Sequence, residues 1–188
     1  DHTLTLHAAS IQQTELDADL CARVRTSILM AGPLTARHGS ATIHPPGGDV
    51  IGRRRLDTHF HGLTALGIDI EINHTYHFSS TRLTGTEIVL DEASVTATEN
   101  ILMAATLAEG ETIIYNAACE PHVQDLANLL NAMGASVSGI GTNRIHVQGV
   151  PSLHGTTHRV QPDFIEIGSF IAAAVATGGA LTIPHAGD

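Results

Sequence analysis

An α/β fold is predicted by three observations: a long-period repeat, amphipathic helices ending on glycine, and short β-branched runs bounded by turn residues. The repeat comes first. Three segments line up, "SILMAGPLTARHGSATI" from Ser27, "NILMAATLAEGETII" from Asn100 and "SFIAAAVATGGALTI" from Ser169. Each reads as a helix of small and apolar residues, then glycine, then a β-branched strand. Leu34 and Leu107 stand 73 residues apart, and Leu107 and Val175 stand 68 apart. That period is too long for a solenoid and suits a compact α/β subdomain.

A second helix repeats too, in "DTHFHGLTALGIDIEI" from Asp57 and "QDLANLLNAMGASVSGI" from Gln124. Phe60, Leu63 and Leu66 fall at three-residue spacing, and Leu126, Leu129 and Leu130 at i, i+3, i+4, so each helix has one apolar face. Gly67 and Gly134 sit where a helix end calls for left-handed φ. The runs "IDIEIN", "HFSS", "EIVL", "SVSGI" and "RIHVQG" read as strands, with Gly141-Thr142-Asn143 as a turn. One unit is therefore βαβαββ, its first helix buried and its second half-exposed, with sheets covering the helices. Two units are nearly whole, and the third begins with a helix and the strand signal "ALTIPHAGD".

With 188 residues, 43% of them hydrophobic, the chain can bury a substantial core. A net charge of −10 opposes non-specific binding to nucleic acid or an anionic membrane, so any anion site must be local. All nine basic residues are arginine, which fits bidentate anion binding and equally fits a general preference for arginine codons. With no tryptophan and 3% aromatic residues, base stacking has little to work with. Cys21 and Cys119 are far apart and form no C-x-x-C, which fits a reducing compartment and neither a disulfide framework nor a zinc ribbon. No apolar run of transmembrane length occurs. The start, "DHTLTLHAAS", has no initiator Met and no signal pattern, and is expected to lie inside a longer protein.

The chemistry concentrates in "PPGGDVIGRRRLDTHFHGLTALG", Pro45 to Gly67, where one acid, Asp49, is followed by Arg53, Arg54 and Arg55. An exposed ion pair and an anionic-ligand site in which Asp49 handles protons both fit this pattern. The thirteen histidines show no ligand spacing. His59 and His61 lie i, i+2 on different helix faces, so no metal site is predicted and surface positions are expected.

Taken together, "RTSILMAGPLTARHG", the Pro45–Gly67 stretch, "SVTATENILMAATLAEGETIIYNAACEPHVQDLANLLNAMGA", "GIGTNRIHVQGV" and "PDFIEIGSF" resemble the UDP-N-acetylglucosamine enolpyruvyltransferases. The resemblance runs in register from about Ala22 to Asp188. It implies an inside-out α/β barrel of two lobes, each built of three repeated units, with the active site between lobes. On this reading residues 1–161 are an incomplete lobe of about two units on the nucleotide-sugar side, and 162–188 begin the second lobe. The implied reaction moves the enolpyruvyl group of phosphoenolpyruvate to the 3′-hydroxyl of UDP-N-acetylglucosamine, releasing phosphate, as the first dedicated step of peptidoglycan synthesis in a bacterial cytoplasm. No cofactor and no metal are implied. The partners are the two small substrates and the remainder of the chain, with no nucleic acid and no membrane. The alternatives are a non-catalytic nucleotide-sugar-binding paralogue and, more remotely, an enzyme like 5-enolpyruvylshikimate-3-phosphate synthase.

The resemblance also assigns residues. Asp49 stands where most members carry a cysteine, and a minority carry Asp; it implies a proton donor that resists fosfomycin, on a loop that Gly47 and Gly48 allow to close. An aspartate donates at neutral pH only where burial beside anions favours its neutral form. The expectation is therefore that Asp49 takes up a proton as substrates bind. Arg25 and Arg54 match arginines that contact the substrates' anionic groups, with Arg25 at the start of the first repeat helix. Arg54 through Thr58 (Arg54, Arg55, Leu56, Asp57, Thr58) match one nucleotide-binding segment, and Glu92, Ala93, Ser94 and Val95 match the other. Members often have Lys at the position of Glu92 and Gly at that of Thr96. Ser94 also reads simply as an N-cap, and Asp163 and Glu166 read as acids placed for a helix dipole.

Overall fold

The structure is a computed structural model that describes residues 3–49, 52 and 55–186. Helix α1 (Ala18–Arg23) starts where the Asp17 carboxylate accepts from the Leu20 amide at 2.9 Å. After it come a 3₁₀ helix (Arg25–Met30), α2 (Ala31–His38), β1 (Ser40–Ile43), α3 (Asp57–Ala65), β2 (Asp69–Ile72) and β3 (Tyr76–Ser79). The second unit follows as β4 (Glu87–Val89), α4 (Val95–Ala105), β5 (Glu111–Tyr115), α5 (Pro121–Ala132), β6 (Ser136–Ser138) and β7 (Arg144–Gln148). Last comes α6 (Phe164–Thr177).

The second unit is a complete βαβαββ. Its sheet runs β4-β5-β7-β6, with β4 and β5 parallel and the other pairs antiparallel. The first unit matches it except that its opening strand is reduced to one parallel bridge, Glu15 to Thr42, beside the antiparallel sheet β1-β3-β2. The bridge is parallel, as β4 is to β5, so the repeat holds even where the strand is vestigial.

Helix α4 is the centre of the molecule. Ala97, Ile101, Leu102, Ala104 and Ala105 are buried and belong to one core with Ile28, Leu34, Leu63 and Phe78 of the first unit and Ile114 and Ile145 of the second. Each such large side chain contributes about 1.5–3 kcal/mol on burial. The sheets bury one face only: Ile145 and Val147 of β7 point inward while Arg144 and Gln148 stay out. Helices inside and sheets outside give the inside-out arrangement. Helix α3 comes so close to α4 that a Cβ on Gly62 would lie 2.1 Å from Ile101 Cδ1.

Three expectations are corrected. The helix predicted from Ser27 is broken: Arg25–Met30 winds as 3₁₀ and the α-helix begins at Ala31. Pro33 has no N–H, and in a continuous helix its ring would meet the Leu29 carbonyl, so it sits in the first turn instead. Residues 180–183 form no strand, because no strand lies alongside among the described residues to take their hydrogen bonds. Helix α6, expected to be buried like its counterparts, has no buried residue, and Phe164, Ile165, Phe170, Ile171 and Val175 are all exposed. Gly67 and Gly134 do adopt left-handed φ, +93° and +98°.

Candidate functional site

Two loops meet on one side of α4. The first enters α3: buried Leu56 anchors it, Arg55 and Asp57 stay exposed and pair with each other, and Thr58 turns inward. The second leads into α4, where Ser94 caps the helix by accepting from the Ala97 amide at 3.4 Å. Thr58 Oγ1 joins the two, donating to Asp91 Oδ1 at 2.8 Å and to Glu92 Oε1 at 3.3 Å. The segments Arg55–Thr58 and Glu92–Val95, read separately from the sequence, are therefore neighbours.

Arg25 reaches the same place from the 3₁₀ helix. Its Nη2 donates to the Arg55 carbonyl at 3.2 Å, tying the first unit's opening turn to the entry of α3. The Gly-Gly turn lies against it: the Gly47 amide donates to the Cys21 carbonyl at 2.9 Å, and a Cβ on Gly48, whose φ is +86°, would lie 3.3 Å from the Arg25 amide nitrogen. Asp49 follows and is exposed. Arg54, with Arg53, lies outside the described residues.

The electrostatics are mixed rather than uniformly positive. The Thr58 hydroxyl, with help from backbone amides and Arg55, holds the Asp91 carboxyl below its ordinary range. Asp57 raises the Arg55 guanidinium further, chiefly through their hydrogen bond. Glu92 brings a carboxylate to a place where a cation would serve a phosphate better.

His59 corrects the expectation of surface histidines. It is 3% exposed, and burial, then the nearby Arg25 charge, pull its pKa down to about 4. Its Nε2 faces Thr96 Oγ1 at 3.1 Å and its Nδ1 faces Asn100 Nδ2 at 3.1 Å. The signal was present: His59, Gly62, Leu63 and Leu66 fall at i, i+3, i+4, i+7, on one helix stripe. Among the described residues no group of three or more His, Cys, Asp or Glu is placed to hold a metal, and no helix is long and apolar enough to cross a membrane.

A family model described as EPSP synthase (3-phosphoshikimate 1-carboxyvinyltransferase) matches residues 1–188. The chain belongs to the EPSP synthase family. Within that family, it is 57% identical over 183 residues to a UDP-N-acetylglucosamine 1-carboxyvinyltransferase of Treponema pallidum, covering 97% of this chain and 43% of the relative. A Bradyrhizobium diazoefficiens protein of the same name is 53% identical over 186 residues, covering 99% and 43%. The chain thus spans less than half the length of these curated relatives. The fold also matches solved family structures. The enolpyruvyl transferase NikO from Streptomyces tendae superposes with a TM-score of 0.72 at 23% identity, over 87% of this chain and 39% of that one. An EPSP synthase from Acinetobacter baumannii gives 0.62 at 27% identity, over 79% and 34%. The α/β, inside-out family architecture is that of this chain.

Proposed function

We propose that the complete protein containing this chain transfers the enolpyruvyl group of phosphoenolpyruvate to the 3′-hydroxyl of UDP-N-acetylglucosamine. The observation that carries the reading is the junction of Arg55–Thr58 with Glu92–Val95 beneath Arg25, in a chain 57% identical to a relative bearing that activity's name. The reaction is an addition followed by an elimination. The sugar 3′-oxygen bonds to C2 of phosphoenolpyruvate, its hydroxyl proton passing to a base supplied by the remainder of the protein, while C3 gains a proton. Then the C2–O bond to phosphate breaks, phosphate leaves with the bonding pair, and C3 gives a proton back to an enzyme base, restoring the double bond. Asp49 supplies the proton to C3, and Arg25 and Arg54 hold the anionic groups against which charge develops. Arg55, Leu56, Asp57 and Thr58 with Glu92, Ala93, Ser94 and Val95 form the nucleotide side, their backbone counting for more than their charge.

Residues 1–161 then belong to one lobe and 162–188 open the other. The exposed apolar face of α6 supports that division, since such a face is normally covered. No cofactor is required by this chemistry. The product feeds peptidoglycan synthesis in the bacterial cytoplasm, and so cell shape and division. The chain by itself turns nothing over, because relatives are more than twice as long and a cleft between lobes needs both.

Release of phosphate by the complete protein tests the reading. Phosphate released from phosphoenolpyruvate only when UDP-N-acetylglucosamine is present, with an enolpyruvyl ether as co-product, is expected. Release with shikimate 3-phosphate instead points to the other branch of the family, and tight binding of the nucleotide sugar without turnover points to a non-catalytic paralogue. Fosfomycin adds a test of Asp49, a carboxylate being a far weaker nucleophile toward an epoxide than a thiolate. No time-dependent loss of activity is expected, and a covalent adduct on Asp49 would refute that.

A further inference from the structure

Asn100 occupies an unusual place. It is a fully buried amide on the central helix α4, and all its hydrogen-bonding groups in use point away from its own helix. The Gly32 N–H donates to Asn100 Oδ1 at 2.8 Å, and Asn100 Nδ2 donates to the Ile28 carbonyl at 2.9 Å. In a continuous α-helix the Gly32 N–H would donate to the Ile28 carbonyl directly. The Asn100 amide therefore stands inside the broken ladder of the first unit: it gives the Gly32 N–H its acceptor and is a second donor to the Ile28 carbonyl, which also accepts from the Ala31 N–H in the 3₁₀ manner. The approach leaves no spare room, since a Cβ on Gly32 would lie 2.4 Å from the Asn100 main-chain carbonyl oxygen and 2.6 Å from Oδ1.

The same Nδ2 also donates to His59 Nδ1. Because a backbone N–H can only donate, Oδ1 must face Gly32, which leaves the amide N–H groups for Ile28 and His59. His59 Nδ1 is then the acceptor, the ring proton sits on Nε2, and it is donated to Thr96 Oγ1. One side chain thus dictates both the shape of the turn that carries Arg25 and the tautomer and angle of the ring one residue past Thr58.

We propose that Asn100 is a positioning residue for the nucleotide-sugar side of the site: by bridging the broken Ile28–Gly32 bond and the His59 ring, it sets Arg25 against the entry of α3. The inference rests on the proposed function for its substrate and on this geometry for everything else. Arg25 is then held where its Nη2 meets the Arg55 carbonyl, and Thr58 where it meets Asp91. Asn100 touches no substrate and acts only through these residues.

The test uses the complete protein and the Asn100→Asp variant, which keeps the shape and Oδ1 while deleting both N–H donors. Two quantities are measured: the His59 tautomer, from long-range proton–nitrogen NMR, and the Kd for UDP-N-acetylglucosamine, from calorimetry. The wild type should show the proton on Nε2 alone. The variant should acquire a proton on Nδ1, weaken nucleotide-sugar binding about ten- to a hundredfold, and change KM more than kcat. Should Asn100→Asp fail to fold, Thr96→Val removes only the Nε2 acceptor and should weaken binding by about fivefold, the effect of one hydrogen bond. A lowered Tm with unchanged Kd, or an unchanged tautomer in the folded variant, overturns the proposal. A wild type that does not bind the nucleotide sugar overturns the substrate reading along with it. A wild type that binds, with variants that bind equally well, overturns this inference alone.

Discussion

Gly47→Ala offers a steric test of how the Asp49 loop is anchored. A Cβ at Gly47 would lie 1.6 Å from the Ala22 carbonyl oxygen, whereas ordinary contact begins at 3.4 Å, so the two backbones must part by well over an ångström. The atom in the way is main chain, and the neighbouring Cys21 is 1% exposed, so neither side yields freely. The displacement also stretches the Gly47 N–H to Cys21 C=O bond beyond its 2.9 Å. Overpacking costs about 1–3 kcal/mol and the lost hydrogen bond about 1 kcal/mol, offset by about 0.4–1 kcal/mol because alanine restricts the unfolded chain. The expected net loss is about 2 kcal/mol, read as a lower denaturation midpoint of the complete protein. Because the shift moves the base of the loop carrying Asp49, kcat should fall with stability. Gly48→Ala should cost less through sterics, its nearest contact being 3.3 Å, although its φ of +86° adds strain. A Gly47→Ala protein with the wild-type midpoint and kcat would refute the argument.

The α3–α4 contact predicts a coupled pair. Gly62→Ala alone should destabilise by about 1–3 kcal/mol through collision with Ile101, and Ile101→Ala alone by about 2–5 kcal/mol. Together they should cost less than the sum, and a double-mutant cycle with no coupling would contradict the packing. His59 predicts a pH dependence. Its pKa is about 4 when folded against an ordinary value of 6.5, so below pH 6.5 the unfolded chain takes up a proton that the folded one refuses. Stability should fall as pH drops from 6.5 toward 4, by at most about 3 kcal/mol. His59→Gln should lose that part of the slope, and denaturation midpoints in urea across that range provide the measurement.

Most of the unit plan was legible because it is local: helix periodicity, glycine at helix ends, and β-branched runs all act over a few residues. The two segments proposed for the nucleotide side could be marked from sequence, but the meeting of their loops through Thr58 and Asp91 is a tertiary contact. The break at Met30 had one visible cause, Pro33, and one invisible cause, an amide 68 residues from Gly32. Asn100 left only a faint sign, a single amide in the otherwise apolar run "NILMAA". Helix α1 went unread because six residues carry too little periodicity, although Asp17 and Asp19 mark its start. The strand expected at 180–183 failed for the opposite reason: β-branched residues favour a strand, but a strand exists only beside a partner.

The central claim is that Asp49 delivers the proton that opens the addition step. Incubating the complete protein in deuterated water with phosphoenolpyruvate and UDP-N-acetylglucosamine measures this through deuterium entering C3 of the enolpyruvyl group. The wild type should release phosphate and incorporate deuterium, and Asp49→Asn should do neither while still binding the nucleotide sugar. Phosphate release and deuterium incorporation at the wild-type rate by Asp49→Asn would contradict the assignment and remove Asp49 from the mechanism.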